Sequence, residues 1–278
     1  MKWNKHLLVG LGILVLLLGS LPLLTSCGKQ ASGQTTIVVG TSGSPKPFSY
    51  VNGKQKLVGY DVDMVRAIDR ELPHDRFTFK KTEFSSILEG LDSGRYQMGA
   101  NNFAANAQRR KKYYFSKPIF RDQYVLVVQS RNTDMHHFDD IAGKTTVNTP
   151  GINFTTAIEQ FNKTASVKSK ITYSQEDASK QLQDVQDGKV DYVLMDKPLY
   201  NNYQSTYHFK NVKAIDLDIS DTKKISPNTP YDYLLIAKTP DGKKLLKQVN
   251  RAITKTQQNG TAQKLSQKYF HGDYVPKQ

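Results

Sequence analysis

Cysteine and tryptophan are each present once in 278 residues. The single thiol, Cys27, excludes an internal disulfide, so stability must come from a packed core. Long apolar runs are missing as well. The longest, Leu7 to Leu18, has about 12 residues where a membrane-spanning helix needs about 20. Glycine-rich phosphate loops, G-x-S-x-G elbows and H-E-x-x-H pairs are absent, which removes the enzyme classes that carry those motifs. Acidic residues are outnumbered, 25 against 39 Lys and Arg, for a net charge of +14.

The apolar run is an export signal in form: Lys2 and Lys5 precede it, and small residues follow it up to Leu24-Thr25-Ser26-Cys27. That ending resembles the bacterial lipobox, in which the cysteine is lipidated and becomes the first mature residue. The reading is a signal peptide over 1–26 and a lipidated Cys27 with a small polar tether over 27–35. Without Lys2 and Lys5, 37 cations face 25 anions, a mature net charge of +12. On the outer side of a membrane such a surface meets lipid headgroups or wall polymers, and nucleic acid is out of reach.

From Thr36 onward, short apolar strands alternate with amphipathic helices. Ile37-Val38-Val39 ends in the turn Gly40-Thr41-Ser42-Gly43, and Val62, Val65, Ile68 and Leu72 share one helical face. Phe77-Thr78-Phe79 is followed by Ile87, Leu88 and Leu91, with Thr82 and Ser85 as candidate caps. Further strands are read at 96–100, 124–128, 190–195 and 233–237, and a helix at 155–161. This alternation predicts an α/β fold with mostly parallel sheets.

Open α/β sheets bind ligands at strand ends, and three such places are polar. Asn101 to Arg109 follows a strand, with Asn106 as a helix cap and Arg109 one turn in, an arrangement suited to a carboxylate. Thr149 to Asn153 is a turn feeding a second helix, and Asp196 ends an apolar strand, where it suits an ammonium group. Asp61 and Asp63 read as helix-start carboxylates. His136 and His137 read as exposed loop residues, since neighbours in sequence point apart, and no metal or cofactor is expected.

Pro47-Phe48-Ser49-Tyr50, Lys56 to Asp63, Phe84 to Gly94, Arg109 to Pro118, Asp191 to Asp196, and Lys268-Tyr269-Phe270 together resemble the amino-acid-binding proteins that serve ABC importers, over residues 36–274. The resemblance implies a two-lobed type II periplasmic binding protein fold whose hinge is two crossing strands. Lobe 1 is expected over 36–128 and 229–278, and lobe 2 over 129–228. It implies that Arg109 grips the ligand α-carboxylate, with Asn102, Ala104, Ile152 and Asn153 on the same side, and that Asp196 pairs with the α-ammonium. The family's usual hydroxyl is Ala104 here and its usual Thr is Ile152, which leaves backbone donors at both positions. Phe103, Phe84 and Phe48 are the expected apolar walls. Relatives that bind cationic side chains carry an acid at Ser42 and an aromatic at Pro45, which argues against Arg, Lys or His as ligand. The Asn101-Asn102-Phe103 opening is most similar to the cystine-binding branch. The expected protein is thus a monomeric, lipid-anchored, non-enzymatic binder that passes cystine to a permease. Another polar amino acid such as glutamine, an enzyme on the same fold, and a sensor or adhesin that uses the basic surface are the alternatives.

Overall fold

A computed structural model describes residues 34–226 and 230–277. The export signal, Cys27 and all but the last two residues of the tether lie outside the described residues. Among the described residues no helix is long and apolar enough to cross a membrane.

The chain opens with β1 (Thr35–Thr41), a small hairpin of β2 (Tyr50–Val51) and β3 (Leu57–Val58), and α1 (Tyr60–Arg70). It continues through β4 (Asp75–Lys81), α2 (Phe84–Asp92), β5 (Met98–Ala104), α3 (Ala107–Lys112), β6 (Tyr113–Phe115) and β7 (Phe120–Arg121). Next come β8 (Tyr124–Gln129), β9 (Thr145–Asn148), α4 (Asn153–Thr164), β10 (Lys170–Tyr173), α5 (Ala178–Gln186), β11 (Tyr192–Asp196), α6 (Lys197–Tyr207), β12 (Val212–Asp216) and α7 (Ile219–Ile225). It closes with β13 (Tyr231–Ala237), α8 (Gly242–Gln258) and α9 (Thr261–Phe270).

Two sheets result. The first runs β4-β1-β5-β13-β6 with β7 also on β13, and the second runs β10-β9-β11-β8-β12. Within each, the strands joined through helices are parallel, as βαβ crossovers require, while β13 and β8 enter antiparallel. The chain therefore leaves the first sheet at Asp122-Gln123 and returns at β13, two segments that cross where Asp122 N–H donates to Pro230 C=O at 2.7 Å. This is the bilobed α/β architecture with a two-strand hinge. One boundary moves: β8 was expected in lobe 1, but its ladder with β11 and β12 places it in the second sheet. Apolarity on both faces marks Tyr124–Val128 as a buried strand without saying which sheet buries it.

Local chemistry explains most elements. The apolar face of α1 is buried at Val62, Met64, Val65 and Ile68. Gly59, ahead of α1, has φ +131, and a Cβ there would lie 2.3 Å from the Phe48 carbonyl oxygen. Two details differ from expectation. The N-cap of α2 is Glu83, not Thr82 or Ser85, and it makes no side-chain cap bond. β5 does not stop at Ala100 but carries Asn101, Asn102 and Phe103 into the sheet interior. Its pairing with β13 shifts register between Tyr233 and Leu235, a bulge that lets the strand continue past the expected end.

Phe48 is fully buried, with its ring 5.1 Å from Phe120 and 4.9 Å from Phe270. It is a packing residue at the base of lobe 1 rather than a wall of the cleft. Phe48→Ala is expected to lower the unfolding free energy by about 3–5 kcal/mol. Chemical denaturation checks this, and a loss under about 1 kcal/mol would contradict the assigned packing role.

Candidate functional site

A cavity of about 310 Å³ lies between the two sheets, at the strand ends where such folds bind ligands. Lobe 1 lines it with Ser42, Glu83, Phe84, Asn102 and Arg109, and lobe 2 with Ile152, Asn153, Asp177, Gln181 and Asp196, among others.

Arg109 is held from behind and offered forward. Asn106 caps α3 by accepting the Arg109 N–H at 2.8 Å, which fixes the backbone that carries the guanidinium. The side chain is only 5% exposed. Its Nη1 donates to the Ala104 carbonyl at 2.8 Å and its Nη2 to the Gly151 carbonyl at 2.7 Å, one acceptor from each lobe. The guanidinium carbon lies 5.7 Å from the Phe84 ring centre and 5.3 Å from that of Phe103. Ring faces attract the cation and exclude water from it. Burial lowers its pKa to about 10, which still leaves it charged at neutral pH.

Next to Gly151, Ile152 is the N-cap of α4 without a side-chain cap bond. The first N–H groups of a helix have no partner within it, so backbone donors face the same region. Asn153 adds a buried Nδ2 that has no partner among the described residues. Donors thus gather around Arg109.

Acceptors gather at Asp196. Its Oδ2 accepts from Asn102 Nδ2 at 2.8 Å across the lobes, and burial raises its pKa. Asn102 has φ +49, in the left-handed region that Asn tolerates better than most residues. The Asp61 carboxylate stabilises that conformation by accepting the Asn102 N–H at 2.6 Å. Asn102 Oδ1 is buried without a partner among the described residues and forms a second acceptor beside Asp196.

Of the expected residues, Asn102, Phe84, Arg109, Ile152, Asn153 and Asp196 line the cavity. Phe103 and Ala104 stand behind the lining, one as a ring beneath the guanidinium and the other as its carbonyl acceptor. Phe48 does not reach it. The remaining cations of the run are exposed: Arg110 rests on the Phe115 and Tyr233 rings, and Lys112 pairs with Asp92 at 2.7 Å. Asp61, read as a helix-start carboxylate, also positions Asn102. Gln175, Asp177 and Gln181 were missed, although the rule that ligands sit beyond strand ends points to the loop after β10.

His137, Asp218 and Asp221 come within 4.8 Å of one another on lobe 2. Their ligand atoms are already engaged: Asp221 by His137 and Lys224, each at 3.2 Å, and Asp218 by the Asp221 N–H at 2.9 Å.

Comparison with known proteins agrees with this geometry. The chain is 28% identical over 267 residues to the L-cystine-binding protein TcyJ of Bacillus subtilis, covering 94% of this chain and 95% of that one. It is 29% identical over 264 residues to the probable amino-acid-binding protein YxeM of the same species, covering 93% and 94%. A solved structure concerned with glutathione import via GshT and the cystine ABC importer TcyBC of Streptococcus mutans superposes with a TM-score of 0.80 at 35% identity, covering 88% of this chain and 98% of that one. A putative L-cystine ABC transporter structure from Listeria monocytogenes gives 0.76 at 26%, covering 87% and 98%. The profile described as bacterial extracellular solute-binding proteins, family 3, matches residues 37–272. This chain is therefore a member of the bacterial extracellular solute-binding proteins, family 3.

Proposed function

We propose that this chain captures L-cystine on the outer side of a membrane, to which a lipidated Cys27 tethers it, and delivers it as a monomer to an ABC permease. The observation that carries the reading is the guanidinium of Arg109, which donates to one carbonyl from each lobe in a cavity that also holds Asp196. A ligand α-carboxylate replaces the Gly151 carbonyl as acceptor and brings charge to the bond. Charge-assisted hydrogen bonds are worth roughly 1.5–3 kcal/mol each, about twice a neutral one. The α-ammonium pairs with Asp196 and Asn102 Oδ1. Donor and acceptor come from different lobes, so ligand binding energy favours the closed hinge.

A second reading is supported by the 35% identity to the structure concerned with glutathione import. The γ-glutamyl end of glutathione presents the same α-carboxylate and α-ammonium as a free amino acid. The two candidates differ at the far end, where cystine brings a second ammonium with its second carboxylate and glutathione a carboxylate alone. Apart from Arg109 no cation lines the cavity among the described residues, whereas Glu83 and Asp177 do. Asp177 is held in place by Ser44 Oγ and Tyr203 Oη, each donating at 3.0 Å. An acidic lining favours cystine, so cystine is placed first.

Arg109→Lys is expected to weaken L-cystine binding by roughly tenfold to a hundredfold, because an ammonium cannot reproduce the fork. Lys112→Ala, which removes an exposed pair, is expected to change it less than about threefold. Isothermal titration separates them, and equal affinities for the two variants would remove the clamp assignment. Titrations of the unaltered protein with L-cystine, glutathione and L-glutamine rank the ligands. Glu83→Gln should weaken L-cystine severalfold more than glutathione, and glutathione binding tighter than L-cystine would reverse the ranking of the two.

A further inference from the structure

Asp196 belongs to a group of four carboxyls. Asp61 is 1% exposed, Asp122 6%, Asp196 4% and Asp232 1%, so all are more than nine-tenths buried. They come from separate elements that meet at the hinge: Asp61 from the first turn of α1, Asp122 from the segment leaving lobe 1, Asp232 from β13 returning to it, and Asp196 from the end of β11. The backbone brings them together. Asp232 is in register with Phe120 and Ala104, Asp196 is in register with Tyr124, and Asp122 N–H reaches Pro230 C=O.

The groups facing this cluster supply little positive charge. Among the described residues, Arg109 from α3 is the cation that acts on it, through Asp232. Tyr60 from α1 donates to the Ile119 carbonyl at 2.6 Å, Tyr124 from β8 is neutral, and Asp273 lies close enough to act on Tyr60. The donors given to three of the acids are few: Asn102 N–H on Asp61, Asn102 Nδ2 on Asp196 and Gln123 N–H on Asp122. Asp61 Oδ1, Asp122 Oδ2 and Asp232 Oδ2 are buried with no donor among the described residues. Asp122 and Asp196 are also close enough for the charge of one to disfavour that of the other, and two buried carboxyls so placed share a proton rather than both ionise. Four full charges against one guanidinium would leave buried charge uncompensated, at several kcal/mol per ion. The cluster therefore holds protons at its open oxygens.

We propose that ligand capture at this hinge is an exchange, in which the ligand ammonium takes its place against Asp196 and a proton leaves the Asp122–Asp196 pair for water. The O–H bond of the shared carboxyl breaks, its electron pair stays on the carboxylate oxygen, and the ammonium supplies the balancing charge. Asp122 and Asp232 act as positioning residues, since they reach the ligand only through Asp196. The proposal rests on Asp196 being the ammonium site.

The direction follows from linkage. Burial raises Asp61 to about 7 and pushes Asp122, Asp196 and Asp232 up, with carboxylate repulsion adding to the burial at Asp61, Asp122 and Asp232. An incoming cation lowers these values. The ligand-bound form then holds fewer protons than the free form, so affinity rises with pH through the acid range. α-Amino groups stay protonated there, their ordinary pKa being about 8, so the ligand itself contributes no proton change.

The test is isothermal titration of the full chain with L-cystine at pH 6 in two buffers of different protonation enthalpy, repeated between pH 5 and 7. The expected result is a buffer-dependent heat equal to about half to one proton released per ligand, with affinity rising up to about tenfold per pH unit. Asp122→Asn should at least halve the release and flatten the pH profile while L-cystine still binds. The measurement on the unaltered protein stands if that variant does not fold. Binding with equal heats in both buffers overturns the exchange and leaves the ligand assignment standing. Binding of none of L-cystine, glutathione or L-glutamine overturns the ammonium site and the exchange together.

Discussion

The guanidinium of Arg109 is the contact on which the rest of the site depends. It is a buried cation with no carboxylate bonded to it among the described residues, held by two neutral carbonyls and two aromatic rings. Such a group is costly to bury, and an arriving anion offsets that cost. Its two acceptors belong to different lobes, so the geometry that best satisfies the cation is also the geometry that closes the cleft. The Asn106 cap, the Phe84 and Phe103 rings and the continuation of β5 to Ala104 all serve to place this one charge.

Charge is divided between surface and hinge in opposite senses. The chain carries +14, yet the hinge concentrates four buried acids, and among the described residues the cavity lining holds Glu83, Asp177 and Asp196 against Arg109 alone. Exposed lysines such as Lys112 sit in screened ion pairs worth little. The basic surface bears on solubility, while the acidic interior suits the ligand amine proposed for it.

Much of the first lobe was legible in the sequence, because its strands and helices are short and strongly patterned and its cations stand next to a capping Asn. Between Lys168 and Ser226 the pattern picked out β11 and little else. β10 is exposed except at half-buried Ile171 and α6 is mostly polar, so neither shows a clean period, and the cavity residues Gln175, Asp177 and Gln181 went unnoticed. Phe48 was misplaced for a related reason: an aromatic beside a loop looks the same whether it faces a cleft or packs on Phe120 and Phe270.

By itself the sequence determined the alternation of strands and helices and the residue types able to bind a zwitterion at the strand ends. These depend on local periodicity and capping, which act within a few residues. Only the tertiary structure decided that β8 belongs to the second sheet, that Arg109 touches Gly151 across 42 positions of chain, and that Asp61, Asp122, Asp196 and Asp232 converge. Contacts between distant segments follow from how two sheets pack about two crossing strands, and no local pattern encodes that packing.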